Sequence, residues 1–95
     1  MRKITKNSIQ ALIAGNHLCK DNTLVTEDTL FLHGNPIIQV REDGVYIQTA
    51  GWNSITTKER LNGLPGVTVY TRKGQLFLNG EPWDGSWKKV DVGML

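Results

Sequence analysis

Turn signals crowd the second part of this 95-residue chain, and they limit what it can build. Glu27-Asp28, Gly34-Asn35, Glu42-Asp43-Gly44, Asn62-Gly63, Arg72-Lys73-Gly74 and Asn79-Gly80 leave only short stretches between them. Gly, Asn and Asp favour turns because they tolerate positive φ or bond their own backbone. Between these signals, apolar and polar residues alternate with the period of a strand. Thr23–Thr26, Thr29–His33, Pro36–Arg41 (PIIQVR) and Val45–Thr49 (VYIQT) read as strands of an antiparallel meander. Asp43-Gly44, between two alternating runs, is a strong hairpin signal. Pro36 is tolerated at a strand start, where only one donor is lost. Val67–Thr71 and Gln75–Leu78 read as a second hairpin, after which Asn79-Gly80 turns the chain towards Glu81–Trp87.

Two segments break this pattern. Ile9, Leu12 and Ile13 fall at helical spacing, so Thr5–Ala14 reads as a helix with Thr5 as its N-cap and Gly15-Asn16 as its stop. Residues 1–4 are left as a loose arm. Thr56 and Glu59 fit a capping box, which predicts a short helix over 56–62, stopped by Asn62-Gly63 and by Pro65. So short a helix is stable only when packed, with Ile55 and Leu61 as anchors. The expected fold is α+β: an N-terminal helix on an antiparallel sheet or open barrel of about six strands, in a single domain. Trp83 and Trp87 are expected to cover one open end of its core.

Composition narrows the function classes. The longest apolar run, Ala11–Ala14, is far short of the roughly 20 residues a membrane helix needs. The single cysteine, Cys19, has no internal partner, which suits a reducing compartment. The net charge of +2 does not demand a nucleic-acid partner, although it hides polarised blocks. Arg2, Lys3, Lys6 and Lys20 make the first block basic, residues 21–50 are acidic, and residues 51–80 are basic again.

Catalysis is not expected. His17, Cys19 and His33 do not have zinc-finger spacing. Cys19 has no base near it in sequence, and Glu42 and Asp43 are too close together to flank a substrate. No phosphate loop, dinucleotide fingerprint or zincin motif occurs. No metal or cofactor is expected.

Recognition is the stronger reading. Ala50–Leu64 gathers an aromatic, two asparagines, three hydroxyls and an arginine around a helix start. The candidate surface is His33, Asn35, Trp52, Asn53, Thr56, Thr57, Arg60 and Asn62. Trp52 and Arg60 are its expected anchors, since both types are enriched at binding hot spots. The structural alternative makes Trp52 core, Thr56 a cap, and Asn53 and Asn62 turn-formers. A nucleotide signal held at the helix start is a second reading. Single-stranded nucleic acid stacked on exposed aromatics is a third, opposed by the acidic first half of the sheet. Free sheet edges also allow a homodimer.

The strings NTLV (22–25), LFLHGNPI (30–37), AGWNSITTKERLNGLPGV (50–67) and LNGEPWDG (78–85) resemble a family of small bacteriophage proteins. That resemblance spans roughly residues 8–85. It implies a phage gene product in the cytoplasm of an infected bacterium, and it carries over no catalytic or ligand residue. Small phage genes often serve host takeover or defence evasion by binding a host component. The expected function is therefore a non-enzymatic accessory protein with a bacterial protein as partner.

Overall fold

The computed structural model describes residues 3–20, 22–51 and 54–92. The first helix, α1, is Lys3–Ala14, starting two residues earlier than the sequence predicts. Ile4, Thr5, Ser8, Ile9 and Leu12 form its buried stripe. Thr5 is therefore a helix-interior residue and not a cap, and Lys3 and Ile4 belong to the helix, not to an arm. The reason is tertiary: the Thr5 hydroxyl is drawn into a polar cluster described below. The helix stops where expected, as Asn16 N–H donates to Ala11 O (2.9 Å) and Gly15 N–H to Leu12 O (3.2 Å), the paired bonds of a Schellman ending.

The meander then unfolds strand by strand: β1 (Leu18–Lys20), β2 (Thr23–Val25), β3 (Thr29–Leu32), β4 (Asn35–Arg41) and β5 (Gly44–Ile47). Each is antiparallel to the one before, and β9 (Lys88–Val90) returns late in the chain to pair with β5. The six strands lie in the order β1-β2-β3-β4-β5-β9, an open sheet with β1 and β9 at its edges. Val25, Leu30, Ile38, Val45, Ile47 and Val90 join the core, where Ile9 and Leu12 of α1 meet them. A register shift between Leu30 and Phe31 places Ile37 and Ile38, adjacent in sequence, both inside. β1 and β9, each three residues long, were not foreseen.

The second hairpin is a separate three-stranded sheet, β6 (Val69–Arg72), β7 (Gln75–Leu78) and β8 (Glu81–Pro82). The described residues thus hold nine strands in two antiparallel sheets where about six were expected, and the α+β class holds. Arg72 lies opposite Gln75 and Leu78 opposite Glu81, so Lys73-Gly74 and Asn79-Gly80 are two-residue turns.

Helix α2 is Ile55–Leu61, one residue earlier than predicted. Its N-cap is Ser54, whose Oγ accepts from Thr57 N–H at 3.1 Å. Thr56 is not the cap, and Glu59 does not close a capping box: its carboxylate faces α1 instead, accepting from the Thr5 hydroxyl at 2.8 Å. Leu61 and Leu64 are core, whereas Ile55, the other expected anchor, stands in solvent. Gly63 lies under α1, and a Cβ there would come within 2.7 Å of Thr5 Cγ2 and 2.8 Å of Ile9 Cγ1. Its role is close approach, which only a missing side chain permits. Of the two tryptophans expected over the core, Trp83 is inside, its indole N–H on Ser86 O at 3.0 Å, and Trp87 is at the surface.

Candidate functional site

The turn between β3 and β4 and the start of α2 meet across a pocket of about 440 Å³. Its lining is Leu32, His33, Asn35, Ile37, Thr49, Ser54, Thr56 and Thr57. Local chemistry explains the first wall. Leu32 lies opposite Asn35, so His33-Gly34 is a two-residue turn, with both residues at positive φ (52° and 80°). Such a turn matches strand twist, and histidine is among the side chains that tolerate the left-handed region. His33 N–H donates to Asn22 O at 2.8 Å, which pins the turn to the chain just before β2. The second wall is the capped helix start, where the Ser54 and Thr57 hydroxyls are 3.0 Å apart.

Leu32, Ile37, Thr49 and Thr57 are buried and form the floor, while His33 and Ser54 are exposed at the rim. Thr49 is held by its N–H, which donates to Gly85 O at 2.9 Å. Gly85 packs so closely on the Thr49 side chain that any larger residue would collide with it. The result is an apolar floor with a rim of imidazole, amide and hydroxyl groups. Among the described residues, no Lys, Arg, Asp or Glu lines it. Such a pocket suits a neutral or apolar group flanked by hydrogen-bonding atoms.

Four of the eight candidate residues thus converge here: His33, Asn35, Thr56 and Thr57. Two others go elsewhere. Arg60 is 1 % exposed and cannot anchor a partner. Its Nη1 donates to Thr5 Oγ1 (2.7 Å) and to Glu59 Oε1 (2.9 Å), and its Nε reaches Thr23 Oγ1 at 3.4 Å. It ties α2 to α1 and β2, and its burial rests on these polar partners, since an unpartnered charge inside a protein is costly. Asn62 is exposed, but its amide works as a strand mimic on β6: Oδ1 accepts from Val69 N–H (2.5 Å) and Nδ2 donates to Val69 O (2.9 Å). Trp52 and Asn53 lie outside the described residues.

Sequence reasoning missed Leu32, Ile37, Thr49 and Ser54. Ser54 carried a usable signal, as a preferred cap type just ahead of the helix. Thr49 carried none, because its burial depends on Gly85. The perturbed acids lie away from the pocket. The Tyr46 phenol, donating to Asp43 Oδ2 at 2.6 Å, holds that carboxyl below its ordinary value, and the same bond raises Tyr46. The Ser86 hydroxyl and N–H likewise lower Asp84. Among the described residues no group of three or more His, Cys, Asp or Glu could hold a metal ion. No helix there is long and apolar enough to cross a membrane.

Residues 1–92 match the family model of the Kyanoviridae Gp96 protein, and the chain belongs to that family of phage proteins. No curated protein and no solved structure matches it.

Proposed function

We propose that this phage protein is a non-enzymatic accessory module that binds a bacterial host protein, in host takeover or defence evasion, within the infected cell. The pocket is the contact point. One observation carries the reading: residues 33–35 and 54–57, separate in sequence, converge on one uncharged cleft with an apolar floor. Both walls are fixed before binding, one by a two-residue turn and the other by a helix cap, which lowers the ordering cost of association. A partner's apolar side chain would fill the floor, with its backbone against His33, Asn35 and Thr56. The nucleotide-sponge alternative has less support, since no cation among the described residues lines the pocket to meet a phosphate.

The test is affinity capture from host lysate with the full chain, followed by direct binding of the purified partner. A combined His33→Ala, Asn35→Ala, Thr56→Ala variant with an unchanged melting temperature should lose that partner. If the folded variant keeps every partner, the pocket is not the contact surface.

A further inference from the structure

The three-stranded sheet has a solvent face with a chemistry different from the pocket's. Val69, Leu76 and Leu78 point into the core, so their neighbours face out. Tyr70 lies opposite Phe77 and Phe77 opposite Pro82, which sets three ring side chains in one row across β6, β7 and β8. The Tyr70 and Phe77 rings are stacked, with centroids 5.2 Å and planes 14° apart. β6 is an edge strand, so Tyr70, 38 % exposed, ends the row. It also lines a groove of about 520 Å³ between β6 and α2, shared with Ile55, Lys58, Glu59, Asn62, Val69 and Thr71.

Charge favours an anionic occupant. Lys58 Nζ is fixed in the groove by its bond to Thr71 Oγ1 at 3.0 Å. Arg72 shares the outer face with Tyr70, and Lys73 sits in the adjoining turn. Glu59, which also lines the groove, has its carboxylate on Thr5 and Arg60, and Glu81 stands on β8 at the far side of the sheet. Stacked rings ending at an open edge, with cations beside them, are the components of a single-strand binding surface.

We propose that this face binds single-stranded nucleic acid. A base stacks on Tyr70, extending the Phe77–Tyr70 pair, with Ile55 across the groove, while Lys58, Arg72 and Lys73 meet the phosphates. This site is independent of the uncharged pocket and needs none of its residues.

The test is fluorescence anisotropy of the full chain with labelled single-stranded DNA and RNA of about 12 nucleotides, and with a duplex of the same length. Single strands should bind better than the duplex, with affinity falling steeply between about 50 and about 200 mM salt. Tyr70→Ala should weaken binding about tenfold, and Tyr70→Trp should retain it. Arg72→Ala with Lys73→Ala should flatten the salt slope by about 0.7 per cation lost. The pocket variant His33→Ala, Asn35→Ala should bind as the parent does, which separates this proposal from the host-protein reading. Absence of binding at low salt would overturn it. So would equal affinity for the duplex with Tyr70→Ala unaffected, or displacement by poly-glutamate as readily as by unlabelled oligonucleotide, which would mark an acidic protein surface as the ligand.

Discussion

Helix α2 offers a comparison within seven residues. Arg60, its most polar side chain, is 1 % exposed, whereas Ile55, its most apolar one, is 80 % exposed. The binary pattern of a surface helix predicts the reverse. What differs is the set of partners waiting on each side. The inner side of α2 meets the Thr5 and Thr23 hydroxyls, and Glu59 lies beside Arg60, so the guanidinium is compensated. Ile55 opens the helix beside the groove to β6, where it meets no comparable set of partners among the described residues. Position relative to partners has overridden polarity, so the inner side holds the fold and the outer one faces solvent.

Removing the arginine strains that comparison most. Arg60→Ala strips the fork from two buried hydroxyls and a carboxylate, and it should cost about 3 kcal/mol in urea unfolding. A loss under about 0.5 kcal/mol would show that the inner side of α2 does not depend on its charge. Next is Gly63→Ala, whose added methyl must displace Thr5 or Ile9. It should destabilise by about 1–3 kcal/mol, since overpacking forces side chains off their rotamers. Asn62→Ala removes both bonds to Val69 and should cost about 1–2 kcal/mol, because Val69 N–H and C=O lose their partner at the edge of β6. Ile55→Ser should change stability by no more than about 0.5 kcal/mol in either direction.

The weakest effect belongs to an exposed polar pair away from α2. Tyr46 should titrate above 10.0, as the bond to Asp43 favours the neutral phenol. A raised value in the folded state means that this contribution is fully present below the ordinary value and fades as pH rises through the raised one. Ultraviolet titration in a Tyr70→Phe background isolates the group, and adding Asp43→Ala should bring it back towards 10.0.

These contrasts show what could be read in advance. The meander from β2 to β5 was legible because each of these strands is paired with a chain neighbour and bounded by residues suited to turns. Asn79-Gly80 sits where its turn signal lay, whereas the turn signalled at Gly34-Asn35 falls one residue earlier, at His33-Gly34, with Asn35 already in β4. The pairing of β9 with β5 was not legible: its partners, such as Ile47 and Lys88, are far apart in the chain, and no local pattern links them. The candidate site divided along the same line. His33, Asn35, Thr56 and Thr57 line one pocket because turn and cap residues cluster where elements meet. Arg60 was misassigned because its surroundings come from Thr5 and Thr23, on other elements. A surface arginine and one held inside by hydroxyls are spelled alike.

The return of β9 to the side of β5 also sets an order of events. The hairpins from β1 to β5 need only short loops closed, whereas joining β9 to β5 encloses everything from Gln48 to Trp87. Loop closure costs more entropy as the loop lengthens, so non-local pairing is disfavoured until its contacts are nearly in place. Thr49, in the pocket floor, is fastened to Gly85, and both lie inside that loop. The floor of the cleft therefore depends on that long-range closure: until the late segment docks, Thr49 lacks the Gly85 carbonyl that holds it.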